Sequence, residues 1–257
     1  MNSVQNGAYL KTARNQLILK ALMVLGFFIG GSIFGLFDLI LPDDMLTHVW
    51  IGAMALIFLG AALFQVLPYQ AMVDREVALL AKVKQQVSGG EEGYKLALDT
   101  DTLNDKEKNT FLAQVLAKLQ GLRGQKDVEV DDLVLLDWYA TKHAQRAKGI
   151  HWVKRNLLTY GIVGTYVGIR LATAGADIMA SGETEAVFQF VVMMFEYLGL
   201  AIMSTLAGLL FGSVFIGHAI DRTERTVQDI ANDLHLELYS SGFLAWMNGA
   251  GKETHAS

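Results

Sequence analysis

The motif Gly161-Ile-Val-Gly164-Thr165-Tyr-Val-Gly168-Ile169 sets the class of this protein, and Ala201-Ile-Met-Ser204-Thr205-Leu-Ala-Gly208-Leu209 repeats its chemistry. Both motifs lie in apolar stretches long enough to cross a bilayer, which takes about 20 residues of helix. Small residues let membrane helices approach closely, and a hydroxyl at that depth needs a partner that lipid does not offer. The two motifs therefore predict a tightly packed polar seam, of the kind along which ions or protons can be handled.

The composition is that of a polytopic membrane protein. The chain has 257 residues, of which 52% are hydrophobic and 18% charged, whereas a soluble domain carries about 25% charge. A net charge of −5 with no basic stripe argues against nucleic-acid binding. The absence of cysteine excludes disulfides and thiolate metal sites. The N-terminal residues lack a cleavage-site pattern, so the first apolar segment is predicted to be a retained helix.

Four apolar segments predict an all-α fold with four transmembrane helices. They run from about Leu22 to Leu41, Val49 to Leu67, Leu157 to Gly175 and Ala186 to Ile220. The corresponding division of the chain is an N-terminal tail (1–21), helices one and two (22–68), a large loop (69–155), helices three and four (156–220) and a C-terminal helix and tail (221–257).

The distribution of positive charge predicts the orientation in the membrane. Apart from Arg170, every one of the 21 Lys and Arg residues lies in the N-terminal tail, in the large loop or after Ile220. Because cytoplasmic loops carry the excess of Lys and Arg, both termini and the large loop are predicted to be cytoplasmic.

The large loop and the C-terminal tail contain helical stripes of apolar residues, which predict a helical cytoplasmic bundle. Glycine predicts breaks between these helices at Ser88-Gly-Gly and at Gly121-Leu-Arg-Gly124. The stripes are Val73, Val77, Leu80, Ala81, Val83 and Val87; Phe111, Val115, Leu116 and Leu119; Leu133, Leu136, Tyr139 and Ala140; and Val227, Ile230, Ala231, Leu234 and Leu238.

Three hydroxyls are candidates for lining an ion pathway, namely those of Thr165, Thr205 and Ser204. The alternative is purely structural, because Ser and Thr in such helices commonly bond to the carbonyl four residues earlier. Arg170 and Glu196 are the intramembrane charges, and their levels differ by about 6 Å at 1.5 Å per residue. They are interpreted as an ion pair, within or between subunits, with a proton relay as the alternative.

The sequence carries no enzyme motif: it has no phosphate loop, no nucleophile elbow and no His/Glu metal spacing. We therefore expect neither an enzyme nor a resident metal or cofactor. The histidines His143 and His151 lie among Lys and Arg, and we interpret them as part of a basic belt near the membrane.

At the two motifs the chain resembles the MotA/TolQ/ExbB proton-channel family. That family pairs a helix of the form G-x-x-G-T-x-x-G-[LI] with a last helix of the form A-L-x-[TS]-T-x-x-G-L, and the likeness covers about the last 65 residues before the tail. Four helices, a large loop between the second and third and cytoplasmic termini resemble the MotA branch. The chain departs from the family at Arg170, where members are usually apolar.

The resemblance implies a homopentamer in the bacterial inner membrane around a dimer of a MotB/TolR/ExbD-like subunit with one transmembrane helix. Thr165 and Thr205 would line the inner wall near an aspartate of that partner, and Ser204 would be secondary. The packing residues at the pore would be Gly161, Gly164, Gly168 and Gly208. The transported ion would be H⁺, although Na⁺ suits the same chemistry.

Two other functions stay open at the level of sequence. A membrane scaffold would use the glycine faces only for assembly. A stand-alone secondary transporter would normally show an internal repeat and broken helices, and neither is evident in the sequence. The process that such a motor drives is not encoded in this chain, because the partner's periplasmic domain would carry it.

Overall fold

The computed structural model describes residues 14–26, 45–123, 132–174, 176 and 183–249. Within these ranges every regular element is helical and no strand is present, which confirms the predicted all-α class. The helices are α1 (14–26), α2 (Met45–Val87), α3 (Glu91–Leu98), α4 (Asp105–Lys108), α5 (Phe111–Leu122), α6 (Asp132–Ala174), α7 (Thr184–Ser240) and α8 (Phe243–Gly249).

Helices α2, α6 and α7 are long and apolar enough to cross a membrane. They contain the predicted segments that begin at Val49, Leu157 and Ala186, so these three predictions of a helix are confirmed. The first predicted segment, from Leu22 to Leu41, lies mostly outside the described residues, which resume at Met45. With 43, 43 and 57 residues, the three helices are about 65 to 85 Å long, far more than the roughly 30 Å of a hydrocarbon core.

Two of the long helices contain a wider π-helical stretch. It covers Ala62–Val66 in α2 and Leu209–Gly217 in α7. Such stretches are rare and frequently occur at functional sites. The stretch in α7 begins directly after Gly208, at the end of the second motif.

The chain divides into two units. Unit one contains residues 1–14, 67–148 and 221–257, and unit two contains residues 15–66 and 149–220. Helices α2, α6 and α7 each contribute residues to both units, because each is continuous through the boundary positions.

The core of unit one is formed by buried apolar side chains of α2, α3, α5, α6, α7 and α8. Helix α2 ends at Val87, and Gly90 then takes a left-handed backbone (φ 73°), which glycine adopts without strain. A Cβ at Gly93 would lie 1.8 Å from the Gln86 carbonyl oxygen, so α3 can pack this closely against the end of α2 only with glycine at position 93. The predicted break at Ser88-Gly-Gly is therefore confirmed.

Most of the predicted apolar stripes of the loop are buried, but two register details are wrong. In α2, Leu79 is 1% exposed, whereas the predicted Ala81 is exposed. In α6, Leu133 is 62% exposed and Ala140 is exposed, and the buried face instead includes Leu135 and Tyr139. Apolar residues lie on every side of the first turns of α6. Periodicity alone therefore did not identify the buried face of this helix.

Candidate functional site

The seam between α6 and α7 lies within unit two and is built from the two motifs. The helices run antiparallel: Gly208 faces Leu157 and Gly161 at one end, and Gly168 faces Tyr197 at the other. Along this line the backbones themselves are in contact. The predicted close-packed seam is therefore present between these two helices of one chain.

The glycines of α6 are required by this contact. A Cβ at Gly164 would lie 2.5 Å from the Ser204 Cβ, and one at Gly168 would lie 2.6 Å from the Tyr197 carbonyl oxygen. At Gly161 and Gly208 the nearest atoms would be carbonyl oxygens of the opposite helix, at 3.0 and 2.9 Å. Since backbone atoms cannot move aside as a flexible side chain can, the spacing of the glycines fixes how closely α6 and α7 pack.

The three predicted hydroxyls meet at the middle of the seam. The Thr165 and Thr205 hydroxyls are hydrogen-bonded to each other across the two helices. Thr165 Oγ1 also lies 3.0 Å from the Gly161 carbonyl oxygen, and Thr205 Oγ1 lies 3.1 Å from that of Ala201. Each threonine thus has the carbonyl partner four residues earlier, as the structural alternative expects, and an interhelical partner as well.

The protons of the three hydroxyls can form more than one arrangement of hydrogen bonds. The Ala201 carbonyl oxygen has the hydroxyls of Thr165, Ser204 and Thr205 each at 3.1 Å. A carbonyl oxygen has two lone pairs and each hydroxyl donates one proton, so the three hydroxyls cannot all donate to it. Ser204 also reaches the Gly161 carbonyl oxygen at 3.3 Å. The hydroxyl protons can therefore be redistributed without displacing a heavy atom.

The hydroxyls differ in their accessibility. Ser204 is fully buried, whereas Thr165 and Thr205 are only half-buried. The two threonines therefore lie closer to the edge of the seam than Ser204 does. Ser204 lies behind the pair, where its hydroxyl is hydrogen-bonded to carbonyl oxygens of both helices.

The structure places Arg170 and Glu196 near one level, because the neighbouring Gly168 and Tyr197 face each other. Arg170 is exposed and Glu196 is half-buried. Within the described residues no ion pair joins them. A pair between subunits stays a prediction.

One polar group at the seam was not identified from the sequence. Trp50, near the start of α2, places its indole Nε1 2.7 Å from the position that a Gly164 Cβ would occupy. This Nε1 is buried and has no hydrogen-bond partner within the described part of the chain. A tryptophan near the end of an apolar segment is typical of an interfacial anchor, so no pattern in the sequence indicates that Trp50 reaches the motif.

A second polar cluster lies in unit one and corrects the interpretation of His143. This histidine is 3% exposed, so it is not part of a basic belt at the surface. It lies against the fully buried carboxylate of Glu76 and between aromatic rings. The burial of His143 was not evident from the sequence, because the neighbouring charged residues lie on the other faces of α6.

No known protein family, characterised protein or solved structure matches this chain. The functional interpretation therefore depends on the motifs and on the geometry that they adopt. Within the described residues, no group of three or more His, Asp or Glu side chains is arranged to hold a metal ion.

Proposed function

We propose that this chain is the channel and stator subunit of a motor driven by the proton-motive force. It would form a homopentamer around a dimer of a single-span subunit of the MotB/TolR/ExbD kind and conduct H⁺ or Na⁺ with it. In this proposal the chain crosses the bacterial inner membrane four times, with both termini cytoplasmic. Unit one is then the cytoplasmic helical bundle.

The observation that carries the proposal is the pair of half-buried hydroxyls, Thr165 and Thr205, joined across the edge of the α6–α7 seam. A hydroxyl donates to a carboxylate and accepts from a carboxylic acid. A partner aspartate at this edge would consequently find a hydrogen-bond partner in either protonation state. The shared acceptor at Ala201 lets the pair change its donor direction as the aspartate gains or loses a proton.

The glycine seam supports the same function by making the wall rigid. Backbone contact from Gly161 to Gly168 leaves α6 and α7 little freedom to separate. A wall that keeps its shape can hold the hydroxyl pair at one depth while the partner moves past it. Each elementary charge that crosses 100 mV releases about 2.3 kcal/mol, which is the energy available to drive the ring relative to the partner.

The two alternatives are less well supported by the geometry. A scaffold that assembles through its glycine faces needs those faces to be available to another subunit, yet Gly161, Gly164, Gly168 and Gly208 are occupied within one chain. A secondary transporter typically has helices broken near the midplane, whereas α2, α6 and α7 are continuous helices.

The experiment that tests the proposal is native mass spectrometry of the full chain, purified alone and together with the product of its neighbouring gene. We expect five copies of this chain with two copies of a single-span partner. The same complex in liposomes should pass protons when a membrane potential is applied. A monomer or dimer that binds no single-span subunit would contradict the stator function.

A further inference from the structure

Glu76 of α2 is a buried carboxylate surrounded by hydrogen-bond donors, all of them in unit one. Its Oε1 accepts from the backbone N–H groups of Phe111 (2.8 Å) and Leu112 (3.3 Å), the first residues of α5. Its Oε2 accepts from the Tyr139 hydroxyl of α6 at 2.8 Å. Glu76 is 0% exposed, so water does not compensate for any of these bonds. The carboxylate joins three helices at the positive end of α5.

His143 of α6 is the titratable neighbour of this carboxylate. Its Nε2 lies 2.9 Å from Glu76 Oε2, without a well-formed hydrogen bond between the two atoms. Its Nδ1 is hydrogen-bonded to the Tyr69 hydroxyl at 3.1 Å. The imidazole therefore has one well-directed partner, Tyr69, and one anion close by.

Aromatic rings enclose the same imidazole. The ring centroids of Tyr139, Phe111 and Tyr69 lie 4.5, 4.9 and 5.8 Å from that of His143. An aromatic enclosure and a carboxylate both favour a cation, whereas burial opposes it. The imidazole thus lies between one anion and three aromatic rings inside the core of unit one.

The hydrogen bonds of the network depend on the charge of His143. With a neutral ring, the Tyr69 hydroxyl donates to Nδ1, while the Glu76 carboxylate accepts from the amides of Phe111 and Leu112 and from Tyr139. Tyr139 lies well before the apolar stretch of α6. Burial, the nearby charge of Glu76 and the hydrogen bond to it raise the pKa of the Tyr139 hydroxyl. This hydroxyl therefore stays a hydrogen-bond donor. When His143 carries a second proton, Nδ1 must donate instead, and the Tyr69 hydroxyl must turn away.

We propose that the Tyr69–His143–Glu76 chain is a proton-responsive latch that controls how firmly the N-terminus of α5 is held. When His143 takes up a proton, the donor and acceptor of the Tyr69–His143 hydrogen bond exchange roles. The Glu76 carboxylate then interacts more strongly with the positively charged imidazolium. The hydrogen bonds that Glu76 accepts from the Phe111 and Leu112 amides weaken as a result. The latch is complete within unit one and does not depend on ion conduction.

Other charged groups lie close enough to act electrostatically on the Tyr69 hydroxyl. They are Glu224 of α7 and Arg146 of α6, besides Glu76 itself.

The test is hydrogen exchange of the full chain in lipid nanodiscs, followed by mass spectrometry of peptides from α5 and α3 at about pH 5 and pH 8. After correction for the intrinsic exchange rate, the α5 amides should exchange about tenfold faster at the acid pH, the scale of one weakened charge-assisted hydrogen bond. The α3 amides, which belong to the same unit but make no contact with Glu76 in the hydrogen bonds described, should show no such step.

The variant His143→Gln keeps an amide donor but binds no proton, so the acid step of α5 should disappear. The matched control is His235→Gln, because His235 also contacts a carboxylate of unit one, Asp132, at 2.6 Å; this variant should keep the step. Glu76→Gln should lower α5 protection at both pH values. No step in the unmodified protein, or an equal step in His143→Gln, would overturn the latch.

Discussion

At the residue scale, the contact between Thr165 and Thr205 makes a prediction about how their substitutions combine. Thr165→Val or Thr205→Val removes one hydroxyl of a shared pair, and either change should lower proton flux through the reconstituted complex about tenfold or more. Groups that share one hydrogen bond are not additive. The double variant should therefore lose little more flux than each single variant, as measured with a pH-sensitive dye in liposomes.

Thr173→Val is the matched control, since the Thr173 hydroxyl lies on the same helix but bonds to the Ile169 and Arg170 carbonyl oxygens, both 3.1 Å away within α6. Its flux should stay at the level of the unmodified protein. Fully additive losses for Thr165→Val and Thr205→Val would show that the two hydroxyls act at separate points. Equal losses in Thr173→Val would mean that flux reports only helix stability.

Gly168 makes a second prediction at the same scale, concerning stability. In Gly168→Ala the new methyl group would lie 2.6 Å from the Tyr197 carbonyl oxygen and 2.7 Å from the Ala201 nitrogen. Overpacking of this kind costs about 1 to 3 kcal/mol, so the thermal midpoint in detergent should fall. Gly60→Ala is the control, because nothing lies within 4 Å of its added methyl group and alanine favours the helix. A midpoint unchanged in Gly168→Ala would contradict backbone contact at the seam.

At the element scale, the seam could be predicted from the sequence and the Glu76 cluster could not. The spacing of Gly161, Gly164 and Gly168 places three glycines on one face of a helix, and a face without side chains has few uses other than close packing. Glu76, by contrast, looks like one more charge in a charged loop. Its burial depends on donors from α5 and α6, which lie far away in the sequence and meet only in the folded chain.

The first turns of α6 show the same limit of sequence reasoning. Leu133 and Leu135 have equal hydrophobicity, and the sequence predicted the wrong one to be buried. The buried Tyr139, held by Glu76, and Asp132, held by His235, lie on the same face as Leu135. The buried face of α6 is therefore the one that carries the long-range polar contacts, and the apolar pattern alone did not identify it.

These two leucines provide a prediction for the packing of α6. Leu135→Ala removes a side chain that is 9% exposed and should lower the free energy of unfolding by about 2 to 5 kcal/mol. Leu133→Ala removes one that is 62% exposed and should change it by no more than about 0.5 kcal/mol. Denaturant titration of the full chain in detergent, followed by circular dichroism, compares them. A larger effect at Leu133 would restore the register first predicted from the sequence.

At the scale of the whole molecule, positive charge and helix length constrain the topology together. Helices α2, α6 and α7 exceed the thickness of a bilayer, so each extends beyond it on at least one side. The Lys and Arg residues are concentrated in the loop and the tails, and the short segment before Glu183 contains none. In the proposed orientation, the long helices extend on the cytoplasmic side.

The lack of cysteine makes this topology directly testable, because any introduced cysteine is the only thiol in the chain. We expect Thr184→Cys, at the start of α7, to react with a membrane-impermeant maleimide added outside intact spheroplasts. Glu92→Cys in α3 and Tyr239→Cys near the end of α7 should react only after the membrane is opened. All three positions are exposed, so a difference in labelling reflects the side of the membrane and not burial.

The reverse labelling pattern would change the predicted orientation and also the side of the membrane from which His143 takes its proton. If Glu92→Cys reacted from outside, unit one would face the periplasm, and the excess of Lys and Arg would have failed to set the topology. The proton sensed at His143 would then come from the periplasm, where it could report the proton-motive force itself. With the predicted pattern, the same latch responds to cytoplasmic pH, which is the side to which the proposed channel delivers its protons.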